Sequence, residues 1–255
     1  MNLPPGFLRP ISKCIAHLFV AVIFAVATGE RVHAGAPLAE SGHKTRLFIL
    51  SGQSNMKHLE PDESFTPAIK KAFPGDTIIV VKEAESGQPI RRWYRKWKPE
   101  HGEVDKTTRI GDLYKRLMTE VAAAQEGKPV PDTVTFVWMQ GEADTHSPDS
   151  ANVYAESLKG LIAQLREDLK RPDTFAVIGR ISDYNAFPEG TKTIRDAEMS
   201  VAKGDPLAGW IDTDDLNGKN DGLHYTTPGY QTLGERFAAK AVELIQGQKT
   251  TTFQK

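Results

Sequence analysis

The stretch Arg46-Leu-Phe-Ile-Leu-Ser-Gly-Gln-Ser-Asn-Met56 decides how the rest of the chain is read. Leu47 to Leu50 form an apolar run with strand character, and Gly52 permits a sharp turn directly after it. A hydroxyl follows at Ser54. A serine on a tight turn at the carboxyl end of a buried strand stands where a nucleophile can be presented to a crevice. The elbow pattern G-x-S-x-G is not met, because Met56 occupies the place of its second glycine.

Outward from this segment, five apolar runs read as buried parallel strands: 46–50, 77–82, 133–139, 174–181 and 209–212. Helical spacing of apolar residues predicts helices over 111–125, 149–169 and, more weakly, 190–203. A last helix opens at Thr226-Thr227-Pro228, a capping residue ahead of a first-turn proline, and runs to about Ile245. Strand alternating with helix predicts a doubly wound α/β sandwich. The stretch 84–108 has no clear period. Loops of that length inside a compact domain usually serve function, which places this one near the active face.

The amino terminus has a different character. Arg9 and Lys13 precede an apolar run from Ile15 to Thr28, interrupted by His17, and Val32-His33-Ala34 offers small residues at the two positions a signal peptidase reads. Residues 1–34 read as a secretory signal peptide cleaved after Ala34. The apolar run is shorter than the roughly 20 residues a spanning helix needs, so no stable membrane insertion is expected after cleavage. Residues 35–247 then form one domain and 248–255 a polar tail. The cleaved chain has 29 basic and 32 acidic residues, a net charge of −3, which argues against nucleic acid as a partner. Cys14, the only cysteine, leaves with the signal, and with it any disulfide or thiol chemistry.

A serine hydroxyl is a poor nucleophile until a base takes its proton. His224 is the candidate base. Asp221, three residues earlier, can reach the ring nitrogen that faces away from the serine, fixing the tautomer and stabilising the imidazolium. Gln140, at the end of the strand 133–139, offers a side-chain amide to a developing oxyanion, and the backbone N–H groups of Ser54 and Gly87 complete the expected hole. Glu142 competes with Asp221 for the orienting role; the local spacing to His224 favours Asp221. Asp144 and His146 make an Asp-x-His pair, a feeble metal signal, and no metal or organic cofactor is expected. In the run Arg91-Arg92-Trp93-Tyr94-Arg95-Lys96-Trp97-Lys98, Arg92 and Trp93 are candidate substrate contacts, since a sugar face stacks on an indole. The competing reading is a solvated loop pinned to the body by its two tryptophans.

Together these motifs resemble the SGNH hydrolase superfamily, in its sialate O-acetylesterase-like branch of carbohydrate esterases. The resemblance rests on Gly52-Gln53-Ser54-Asn55-Met56, Gly87, Gln140-Gly141-Glu142-Ala143-Asp144 and Asp221-Gly222-Leu223-His224, in the family's order. It implies a flavodoxin-like three-layer αβα sandwich with a central five-stranded parallel sheet. It also implies hydrolysis of acetyl esters on carbohydrates without a cofactor. Much of the superfamily presents Asn where this chain has Gln140. The alternative on the same scaffold is a non-catalytic carbohydrate-binding protein. A lipid or peptide hydrolase fits less well, because the Arg-rich 84–108 stretch makes a poor acyl-chain groove.

Overall fold

The computed structural model describes residues 42–252 except Asn185 and Asn220, with side chains described as far as Gly247. The expected signal peptide 1–34 and the last residues of the expected tail, 253–255, lie outside the described residues. Five parallel strands form one sheet: β1 Thr45–Gly52, β2 Thr77–Ala84, β3 Thr133–Met139, β4 Phe175–Gly179 and β5 Ala208–Ile211. Their order is β2-β1-β3-β4-β5, the flavodoxin-like arrangement. All eight residues of β1 are buried, as a central strand covered on both faces requires.

Seven helices complete the described body: α1 Ser54–His58, α2 Phe65–Ala72, α3 Asp112–Gln125, α4 Pro148–Ala151, α5 Tyr154–Leu169, α6 Pro188–Lys203 and α7 Thr227–Thr252. α2 packs on α7, α7 lies on β3, β4 and β5, and α5 packs on α6, which covers β4 and β5. By the right-handed crossover rule for parallel strands α2 lies over one face of the sheet and α3, α5 and α6 over the other, and α7, which follows the last strand, packs beside α2. No helix among the described residues is long and apolar enough to cross a membrane.

Most expected elements are present with shifted ends. The helix expected over 149–169 is two, α4 and α5, separated by Asn152 and Val153. Thr226 caps the last helix as expected, its hydroxyl accepting from the Gly229 N–H at 3.2 Å, and α7 continues past Ile245 to Thr252. The short helices α1 and α2 carry too few turns to show a period in the sequence. Of the long 84–108 stretch, Ala84 closes β2, and the rest contains only a 3-10 turn at Ile90–Arg92 besides its loops.

The chain leaves β1 toward β2 and later returns across it to β3, so the topological switch lies between β1 and β3. Gly52 and Met139 are register partners at the carboxyl ends of these two strands. Gly52 has φ 149°, and a Cβ there would lie 1.9 Å from the Met139 carbonyl oxygen. The two backbones can therefore meet only around a glycine. Gln53 N–H then donates to the same Met139 carbonyl at 2.9 Å.

Two buried carboxyls hold the loops that follow the strands. Asp144 Oδ2 accepts from Ile90 N–H at 2.8 Å and from the Gln140 amide at 2.7 Å. Glu198 on α6 accepts from Ile181 N–H at 2.9 Å, just beyond β4. Burial raises the pKa of both, Asp144 to about 7. Asp144 Oδ1 has no hydrogen-bond partner among the described residues, which suits the oxygen that carries the proton.

Gly52→Ala is expected to destabilise the protein by at least about 3 kcal/mol in urea unfolding, since the clash is with backbone that cannot yield; a loss under about 1 kcal/mol would contradict the contact. The buried Asp144 also sets a pH dependence. Its folded pKa lies above its unfolded value, so its stabilising contribution is complete below about pH 4 and is lost as pH rises to about 7. Asp144→Asn should make the decline in unfolding free energy between pH 4 and 8 shallower, by on the order of 3 kcal/mol. A variant with the wild-type slope would show that Asp144 is not the titrating group.

Candidate active site

A cavity of about 550 Å³ opens at the carboxyl ends of the strands, within the size range of small-ligand sites. Ser54, Gly87, Glu142 and His224 all line it. Ser54 is the first residue of α1, so its N–H has no carbonyl partner within that helix. Gly87 has φ 66° and open space where a Cβ would stand, so its backbone can approach a ligand closely.

Asn55, fully buried, ties the site together. Its amide donates to Glu142 Oε1 at 2.8 Å and to the Leu223 carbonyl at 3.2 Å, and its oxygen accepts from the Tyr230 hydroxyl at 3.0 Å. The residue beside Ser54 is thus bound to the residue beside His224, 168 positions apart in the chain. Asn55 stood in the sequence only as a member of its motif. Its polar type next to a buried strand was the one signal of this role.

Asp221 and His224 form a closed local unit. Asp221 Oδ2 lies 2.6 Å from His224 Nδ1, while Oδ1 accepts the His224 and Leu223 N–H groups at 2.6 and 2.9 Å. The donated His224 N–H and then its ring hold the Asp221 carboxyl at about 2, so it is ionised through the neutral range. A carboxylate on Nδ1 fixes the neutral ring as the Nδ1–H tautomer and leaves the lone pair on Nε2. Glu142 sits elsewhere. Its Oε1 is committed to Asn55, its Oε2 has no partner among the described residues, and burial raises its pKa. His58, on the helix that Ser54 opens, stacks on Tyr230, and its ring centroid is 5.6 Å from that of His224.

Gln140 is not at the cavity wall. It is fully buried, and its amide nitrogen has three protein acceptors: Asp144 Oδ2, the Gln88 carbonyl at 3.0 Å and Gln53 Oε1 at 3.2 Å. Gln140 is expected to donate to an oxyanion; in the structure its N–H groups meet protein acceptors that hold the loops together. Gln53, itself largely buried, takes the place at the cavity wall. It lines the cavity, and its Oε1 accepts from Ala143 N–H at 3.1 Å as well as from Gln140. With the carbonyl end so fixed, the NH₂ end of the Gln53 amide is the one left to face the cavity.

Arg92 and Trp93, expected as substrate contacts, are buried and do not line the cavity either. Arg92 is buried, with Nε and Nη2 each 2.5 Å from the Asp112 carboxylate and Nη1 2.5 Å from Gln88 Oε1. The fork-to-fork pair fastens the loop to α3. Trp93 is wholly buried, edge-on to Trp138 with centroids 5.2 Å apart. The competing reading of this run, a loop pinned by its tryptophans, is what the structure shows, with Trp97 also buried. Arg91, one residue earlier, is the basic side chain of this run on the cavity wall. Asp144 serves the buried network, and the His146 ring lies against Phe187 with centroids 4.3 Å apart.

Comparison with known proteins bears on the family and the fold. The profile described as "Carbohydrate esterase, sialic acid-specific acetylesterase" matches residues 57–243. A probable carbohydrate esterase of Arabidopsis thaliana is 25% identical over 177 residues, 68% of this chain and 60% of that protein's length. An Arabidopsis thaliana crystal structure superposes with TM-score 0.63 at 20% identity, covering 78% of this chain and 98% of its own. A carbohydrate acetylesterase from Xanthomonas citri superposes with TM-score 0.59 at 15% identity, over 80% of this chain and 56% of its own. At these identities the two superpositions speak for the shared fold. The profile covers most of the chain, and this protein belongs to the sialic acid-specific acetylesterase family of carbohydrate esterases.

Proposed function

We propose that this protein is an exported serine esterase that removes acetyl groups from carbohydrate. The observation that carries the reading is the Asp221-backed His224 on the same cavity as Ser54. Ser54 Oγ attacks the acetyl carbonyl carbon while His224 Nε2 takes its proton. The carbonyl oxygen becomes an oxyanion beside the N–H groups of Ser54 and Gly87 and the amide of Gln53. Collapse breaks the bond to the sugar oxygen, which receives the proton from His224, and the acetyl group stays on Ser54. A water then attacks the acyl-enzyme with His224 as base. Acetate leaves and the Ser54 hydroxyl is restored.

Asp221 is the residue we assign to orienting His224, since it holds both the ring and the backbone of that residue. Glu142 acts through Asn55, keeping the segment next to Ser54 in place. The signal-like pattern of residues 1–34 supports export as part of this reading, and the family supports acetylated carbohydrate as the substrate class.

With 4-nitrophenyl acetate, Ser54→Ala should lower kcat at least about 1,000-fold; equal rates would instead favour a binding protein without catalysis. Gln53→Ala should lower kcat by about 100- to 1,000-fold if its amide meets the oxyanion, and Gln140→Ala should act mainly on stability. The two acids can be separated by comparing Asp221→Asn with Glu142→Gln. The first should reduce kcat by on the order of 1,000-fold or more with little change in unfolding free energy, and the second should do the reverse. A larger kcat loss in Glu142→Gln would exchange their roles.

A further inference from the structure

Among the described residues, three large hydrophobic side chains are exposed: Val130, Tyr184 and Phe187. Single exposed apolar residues need no explanation, but two on one rim do. Tyr184 and Phe187 both line the cavity that holds Ser54 and His224, with 39% and 43% of their surface in solvent. They lie on the segment that joins β4 to α6, at the carboxyl end of the sheet.

The two rings are held from behind. The Phe187 carbonyl accepts from Thr191 N–H at 2.8 Å, and the Tyr184 carbonyl accepts from the Thr191 hydroxyl at 3.3 Å. Pro188 fixes the first turn of α6 directly after Phe187. The Phe187 ring lies against His146 with centroids 4.3 Å apart. Tyr184 packs on Gly222, where a Cβ would come within 2.9 Å of its ring, so it also bears on the loop that carries His224. Rings held in this way lose little freedom on binding.

A hexose ring has an apolar face of C–H groups and a polar edge of hydroxyls. The aromatic rim suits the face. Arg91, Ser86 and Ser182 on the same cavity suit the edge. We propose that Tyr184 and Phe187 form a stacking platform for the sugar ring that bears the scissile acetate, and that this platform selects cyclic sugar acetates over ringless ones. The inference rests on the esterase reading and adds to it which residues recognise the alcohol side of the ester.

The test measures kcat and KM of the purified protein on mono-O-acetylated methyl pyranosides, ethyl acetate and hexyl acetate, for wild type, Phe187→Ala, Phe187→Leu and Phe187→Trp. In Phe187→Ala the ratio of kcat/KM for the sugar acetate to that for ethyl acetate should fall about tenfold, through KM rather than kcat. Phe187→Leu keeps the bulk but not the flat face and should fall similarly, which also serves should the alanine variant not fold. Phe187→Trp should restore the ratio. An unmoved ratio in a protein that cleaves sugar acetates would overturn the platform alone. An equal loss on hexyl acetate would also overturn it, in favour of a merely apolar rim. A wild type that cleaves ethyl acetate but no sugar acetate would overturn the carbohydrate reading itself.

Discussion

The site depends on one buried amide. Asn55 presents two N–H groups and one oxygen, and each meets a partner from a different part of the chain: Glu142 after β3, Leu223 in the loop before α7, and Tyr230 on α7. A buried amide left short of partners is costly, so these segments are held together by more than proximity. Ser54 and His224 are neighbours of two of the bonded residues. The segments that carry Ser54 and His224 are thereby held together by a residue that takes no part in the proposed chemistry.

Beneath that clamp lies a backbone constraint. At the switch between β1 and β3 the chain leaves the sheet in opposite directions, and a crevice results. Gly52 lets the β1 end press on the Met139 carbonyl, and Gln53 then spans the gap to Ala143 and Gln140. The buried Asp144 extends the network to Ile90 and so to the wall that carries Gly87 and Arg91. Ionised carboxylates are expensive to bury, and here burial raises three of them: Glu142, Asp144 and Glu198. All three stand just below the cavity or at its wall, so the precision of the loops is obtained at some cost to stability at higher pH.

The sequence reading and the structure part company where a side chain has two directions to choose between. Gln140, Arg92 and Trp93 were placed in the right segments. Composition and spacing could not say whether each turned toward solvent or inward. Gln140 turned inward because Asp144 and the Gln88 carbonyl needed donors, Arg92 because Asp112 offered a bidentate partner, and Trp93 because Trp138 offered an apolar edge. Gln53, on the serine turn, and Arg91, the residue just before Arg92, took the cavity positions.

What the sequence by itself determined was the set of elements with strong local codes. Continuous apolar runs specify buried parallel strands, and helical spacing specifies the long helices. The Asp221-Gly-Leu-His224 pair needs only a three-residue turn to close, so it was legible too. Only the tertiary structure decided which amide faces the cavity, which arginine lines it, and that Tyr184 and Phe187 share its rim. These depend on contacts between residues tens to more than a hundred positions apart. Such contacts are settled by the competition of buried polar groups for partners, and a single sequence does not display that competition.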